Sequence, residues 1–194
     1  GYENTFIGNK TGTDTYGTTT GSRNICIGKL TSCSAGGVTD YQIVLGYNVR
    51  GNGARQVVFG DGTNDLACLY TGNTWTNPSD IRLKEDIQDE VVGLDFINDL
   101  RPVTFRWKKE KDISPELDRY KADSEERTMG GKYNHGFIAQ EVKEVIDNNP
   151  NIKDGFDMWS EESDGRQRVG ETAIIPMLVK AVQELTARIE ELEK

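Results

Sequence analysis

Residues 78–87 read PSDIRLKEDI, and the chain is of two different kinds on the two sides of this stretch. Residues 1–78 hold five basic and five acidic side chains and 14 of the 21 glycines. Residues 79–194 hold 18 basic and 27 acidic side chains, and therefore the whole net charge of −9. A neutral, glycine-rich segment meets an acidic one at Ser79, which sets the expected domains as 1–78 and 79–194. Ser79 itself has two readings. A serine ahead of a helical pattern is commonly an N-cap, with Lys84 then a solvated side chain. Alternatively, Lys84 takes the hydroxyl proton of Ser79. Five residues apart, two side chains lie ~140° apart around a helix and on opposite faces of a strand. The pair therefore needs an irregular turn, or a serine and a lysine from different chains.

Upstream, four segments echo one another: NTFIGNKTG, NICIGKLTS, YQIVLGYNV and RQVVFGDGT. Each carries an apolar stretch that ends in a glycine, at Gly8, Gly28, Gly46 and Gly60, spaced by 20, 18 and 14 residues. The pattern predicts short strands closed by tight turns. A segment this poor in apolar residues can hardly bury a core alone, so it is expected to stack on neighbours or intertwine with other chains. It is similar to the glycine-punctuated repeats of trimeric phage fibres and adhesin heads, and also fits the edge of a β-solenoid. FGDGTND lacks the spacing and terminal Glu of a calcium loop and reads as a plain turn.

Downstream, Ile87, Val91, Leu94, Ile97 and Leu100 recur every three or four residues and predict an amphipathic helix. RPVTFRW alternates and predicts a strand with Val103, Phe105 and Trp107 on one face. Residues 108–132 are charged and read as a surface loop or hairpin. YNHGFIAQEVKEVI predicts a strand running into a helix that stops at Asn148, Asn149 and Pro150. Residues 151–170 read as irregular, with a short strand near Val169. From Thr172 onward, Ile175, Leu178, Val182, Leu185, Ile189 and Leu192 alternate gaps of three and four, a heptad seam with β-branched residues at a and Leu at d. Pro176 falls where a missing N–H costs least. The a/d choice alone favours two strands, but Ile174, Val179 and Ala181 widen the apolar arc of the first heptad. Self-association is preferred over a helix docked only on its own domain. The expected fold class is thus an N-terminal all-β repeat, followed by an α+β domain that ends in a coiled-coil helix over 172–194.

The whole chain excludes several functions. A net charge of −9 argues against nucleic acid, and no apolar run approaches the ~20 residues of a membrane span. Cys26, Cys33 and Cys68 lack zinc spacing and read as reduced or buried thiols rather than a disulfide framework. No signal peptide is visible, and without an initiator Met the chain is expected to be a fragment. The acidic pairs at 125–126, 161–162 and 190–191 could suggest a conventional enzyme acting on a polysaccharide, but they read as solvated charge.

SDIRLKEDI (79–87), LRPVTFRWK (100–108), HGFIAQEV (135–142) and IPMLVKAVQEL (175–185) stand in this order. Together they resemble the intramolecular chaperone auto-processing domain, or peptidase S74 domain, that ends many phage tail spikes, tail fibres and neck appendages. The resemblance covers residues 79–194. It implies a homotrimer whose client and substrate is its own N-terminal segment, an intertwined β-fibre end resembling a triple β-helix. It implies a catalytic pair, Ser79 and Lys84, and scission of the Pro78–Ser79 bond, with no cofactor and no metal. Asp80 and Arg82 belong to the same motif; Arg82 either holds the turn through a carboxylate or polarises the carbonyl under attack. His135, Gln140 and Glu141 would have supporting roles, such as orienting Ser79 or the oxyanion. The helper would act in the host cytoplasm and be released, leaving the mature fibre in the virion with a host receptor or glycan as candidate partner. The competing expectation is a non-cleaving trimerisation and receptor-binding tip.

Overall fold

The computed structural model of the chain describes residues 1–12, 21–33, 40–152 and 154–194. They form two compact units, Gly1–Ile87 and Gln88–Lys194.

The first unit is one five-stranded sheet in the order β1 (Thr5–Ile7), β2 (Ile25–Ile27), β3 (Gln42–Gly46), β4 (Gln56–Gly60) and β5 (Asp65–Leu69). β1 to β4 are parallel, and β5 turns back antiparallel on β4. The four glycine-ended segments therefore lie side by side. Thr5 pairs with Ile25, Ile25 with Ile43 and Ile43 with Val57, so the register repeats the spacing of the glycines. The connection from β3 to β4, residues 47–55, is nine residues long, shorter than the dozen or more of a helical crossover.

Strand alternation then sorts the side chains. Cys26, Val44 and Val58 form a fully buried column, packed with Cys33 and Val49. On either side of it Ile25, Ile27 and Phe59 are exposed. The polar start of each rung is tied to the next: Asn4 Oδ1 accepts the N–H of Asn24, and Asn24 Oδ1 accepts the N–H of Gln42, both at 2.9 Å. The glycines end the strands because nothing larger fits. Gly46 has φ +135°, and a Cβ there would stand 1.8 Å from the carbonyl oxygen of Gly60.

The second unit is α+β. It contains α1 (Leu94–Asp99), a β6–β7 pair (Val103–Phe105 with Asn134–Gly136), α2 (Ala139–Asp147), a β8–β9 hairpin (Trp159–Glu161 with Gln167–Val169) and α3 (Ile175–Leu192). Val92, Phe96, Leu100, Val142, Met158, Ile174 and Met177 make one core, with Phe156 set edge-on to Phe96 at 5.9 Å. Full burial of a side chain such as Phe96 contributes about 1.5–3 kcal/mol. The charged segment 108–132 folds back on itself through a Lys109–Arg127 bridge.

Two expectations need correction. The helix predicted over 87–100 is only six residues long. Glu90 Oε1 accepts the N–H groups of Val91 and Val92, which holds that segment out of the helix, and Ile87 and Val91 stay exposed. The strand predicted through Trp107 ends at Phe105, and Trp107 instead stacks edge-on against Phe105. The pairing of β8 with β9 was not expected from the sequence, since neither strand exceeds three residues.

α3 has two apolar faces. Ile174, just ahead of it, Met177 and Ala181 are buried against the core, and Glu184 Oε2 accepts the N–H of Leu94 at 2.9 Å. That carboxylate caps α1, whose N-cap Gly93 offers no side chain. All six residues of the heptad seam are exposed, from Leu178 at 41 % to Leu192 at 87 %. Docking and the seam thus occupy different faces of one helix.

Candidate active site

The motif at 79–84 forms a capped turn. Asp80 is extended (φ −71°, ψ 134°), and its carboxylate accepts the N–H of Arg82 at 2.9 Å, the arrangement of an N-cap. Ile81–Leu83 make a single 3₁₀ turn, closed by Leu83 N–H to Asp80 C=O at 3.0 Å and Lys84 N–H to Ile81 C=O at 3.2 Å. The chain then leaves in an extended conformation at Lys84. The tighter 3₁₀ turn changes the angular spacing from that of an α-helix or strand. Its consequence is direct: Lys84 Nζ donates to Ser79 Oγ at 2.7 Å. The cap of the turn is therefore Asp80, one residue after Ser79, and Ser79 and Lys84 meet within one chain.

Arg82 also grips the cap. Its Nε donates to both oxygens of Asp80, at 2.9 and 3.1 Å, and a terminal nitrogen completes the fork. This hydrogen bonding holds the Asp80 carboxyl below its ordinary range and raises the guanidinium of Arg82. Ser79 and Lys84 are both exposed, as are the apolar side chains around them: Ile81 and Leu83 at 72 % each and Ile87 at 65 %.

Residues 79–149 match the model of the peptidase S74 family, described as the chaperone of endosialidase. This segment is similar to the S74 chaperone family. The match takes in three of the four motifs and stops before α3. No curated protein and no solved structure matches the chain.

The other motif residues of the matched segment lie in the second unit. His135 pairs with Thr104 across β6–β7 and is exposed at a shallow cavity of about 470 Å³, lined also by Pro102, Phe137 and Glu171. Gln140 is exposed in the first turn of α2. Glu141 has a structural partner. Arg101 Nε donates to it at 3.0 Å, with a second contact from the same guanidinium, and this pairing holds the Glu141 carboxyl below its usual range. It joins LRPVTFRWK to HGFIAQEV across 40 residues. Arg101 and Glu184 are the residues that sequence reasoning missed. Each acts on a partner distant in the chain, and no local pattern announces such a pair. Among the described residues no group of His, Cys, Asp or Glu is arranged to hold a metal. The Asp61 carboxylate accepts the N–H groups of Thr63 and Asn64 at 3.0 Å each, which makes FGDGTND a turn.

Proposed function

We propose that this chain carries a C-terminal intramolecular chaperone that trimerises, helps fold the β segment ahead of it, and then releases itself by cutting the Pro78–Ser79 bond. One observation carries the chemistry: Lys84 Nζ lies 2.7 Å from Ser79 Oγ at the first residue of the S74 match. In this contact Lys84 Nζ is the donor and Ser79 Oγ the acceptor. The reactive form is the neutral amine, which accepts the hydroxyl proton as Oγ attacks the carbonyl carbon of Pro78. Collapse of the tetrahedral adduct breaks the C–N bond, with the proton passing to the departing nitrogen of Ser79. The acyl group now sits on Oγ as an ester. Water hydrolyses it, giving a Pro78 carboxylate and a chain that begins at Ser79 with its hydroxyl restored.

Asp80 and Arg82 are positioning residues for this step: the cap and its fork hold the turn that joins hydroxyl to amine. His135, Gln140 and Glu141 are assigned no step.

Exposure of Lys84 in the single chain links chemistry to assembly. A charged amine in water is a poor base at neutral pH, and burial disfavours the charged form. Ile81, Leu83 and Ile87 flank the pair with apolar surface. Closing that surface against other copies would dry the site, so scission would follow assembly. The exposed seam of α3 is the surface that gathers the copies. Association of the helper first raises the local concentration of the chain segments that must interlock, which offsets the entropy of closing non-local contacts. Once the helper has gone, the β segment persists because unfolding is slow. The released helper would remain in the host cytoplasm and the β segment would enter the virion, with a receptor or glycan as its binding partner.

The test is intact mass after purification of the wild type, Ser79→Ala and Lys84→Ala. The wild type is expected to give pieces of residues 1–78 and 79–194, and both variants a single uncut chain. A folded, oligomeric wild type that stays whole through prolonged incubation would leave only the second reading, a non-cleaving trimerisation tip. The exposure of both members of the pair is what favours that alternative.

A further inference from the structure

The buried column of the first unit contains a pair of nucleophiles that the cleavage reaction does not use. Cys26 Sγ and Cys33 Sγ stand 2.8 Å apart, with the two residues 0 % and 1 % exposed. Cys26 sits mid-strand in β2, and Cys33 follows the turn that carries the chain back beside it. The turn contains two left-handed residues, Gly28 at φ +124° and Leu30 at φ +61°. It is pinned by Thr31 Oγ1 donating to Gly28 C=O and by Ser32 N–H donating to Val49 C=O, both at 3.0 Å. The backbone therefore delivers the two sulfurs to each other without help from the thiols. An S–S bond is about 2.05 Å long, so closure requires the sulfurs to move by less than an ångström.

We propose that Cys26 and Cys33 form a reversible intrachain disulfide, with a low-molecular-weight disulfide of the glutathione class as oxidant. In the first step one protein thiolate attacks a sulfur of the small disulfide, forming a mixed disulfide and expelling one small thiolate. The second protein thiolate then attacks the protein sulfur of the mixed disulfide and expels the other. Two protein thiols are oxidised, one small disulfide is reduced to two thiols, and the two protons go to the leaving sulfurs.

Contact with Cys33 and burial both hold Cys26 in its protonated, unreactive form once the rung is closed. Oxidation therefore belongs to folding or to local opening, and reduction is equally slow after closure. The bond ties β2 to its own returning turn across a loop of eight residues, restraining the second rung in the unfolded chain. Cys68 lies apart in β5, half-buried, where its thiol faces the carbonyls of Leu69 and Gly72.

The experiment refolds the full chain in a buffer of reduced and oxidised glutathione, then counts alkylatable thiols in denaturant and maps the linked peptides by mass. The wild type is expected to fall from three thiols to one, with a single cross-linked peptide joining Cys26 to Cys33. Cys68→Ser is expected to fall from two thiols to none, and reductant to restore both. If Cys68→Ser still alkylates at two positions after oxidative refolding to the native state, the proposal is overturned. A cross-link that joins Cys68 to either of the other two overturns it as well. Neither readout depends on whether the Pro78–Ser79 bond is cut, because both cysteines lie on the same side of it.

Discussion

Asp80 is the residue on which the candidate site turns, because its carboxylate does two separable things. It caps the 3₁₀ turn by accepting the N–H of Arg82, and it receives the Arg82 fork. Asp80→Asn keeps an N-cap acceptor but loses the charge of the fork, whereas Asp80→Ala loses both. Loss of a cap weakens a helical turn, and here the capped turn is what brings Lys84 to Ser79. Cleavage rates followed by mass are expected to fall in the order wild type, Asp80→Asn, Asp80→Ala; equal rates for all three would remove Asp80 from the mechanism. At the same scale, Gly46 tests the β stack. Its φ of +135° and the close approach of Gly60 oxygen exclude a side chain. Gly46→Ala is expected to destabilise the first unit by at least the about 1–3 kcal/mol of a strained backbone, read by denaturant unfolding. Gly72→Ala is the control within the same unit, since a Cβ there meets only Leu69 at an ordinary contact distance of 3.5 Å, and a similar loss from both would refute the packing argument.

Among the elements, the 108–132 excursion is held by charge instead of a core. Lys109 and Lys111 both donate to Glu125, and Lys121 pairs with Glu110. Hydrogen bonding from Lys109, then Lys111, lowers the Glu125 carboxyl to about 2. A carboxyl depressed in the folded state contributes stability that is fully present above its ordinary value. That contribution is lost as pH falls toward 2. The excursion is therefore expected to loosen between roughly pH 4.5 and pH 2, and earlier in high salt because the pairs are exposed. An NMR titration of the Glu125 carboxyl checks this, and a midpoint near 4.5 would show that the lysines do not hold it. α3 is the opposite case, an element with one task per face. Its buried face carries Met177 and Ala181, and its exposed seam carries Val182 and Leu185.

For the whole molecule, that division makes the seam separable from the fold. Leu185→Asp is expected to lower the solution mass toward one chain while the second unit keeps its helical signal and melting cooperativity. Ala181→Asp is expected to unfold the second unit, because a carboxylate there would be buried without a partner. Sedimentation and circular dichroism on both variants decide it; an unchanged mass for Leu185→Asp would mean that the seam gathers nothing. On the proposed link between assembly and scission, Leu185→Asp is also expected to slow the appearance of the 1–78 and 79–194 pieces.

Much of this was legible along the chain. The change in charge and glycine at Ser79, the four glycine-ended segments, the heptad seam and the serine–lysine spacing are all local patterns, because strand alternation, turn chemistry and helical period are properties of near neighbours. Residue order alone therefore determined where short strands and the last helix lie, whereas the pairing of Ser79 with Lys84 was implied only by the resemblance of the ordered motifs. Only the tertiary structure decided that the four segments stack in parallel register, that Cys33 returns to Cys26, and that Arg101 meets Glu141. It also decided that Glu184 caps α1, that the helix expected over 87–100 shrinks to six residues, and that a 3₁₀ turn brings Lys84 to Ser79. Those facts depend on which distant groups satisfy one another's hydrogen bonds and exclude water together, and period and propensity carry no record of that choice.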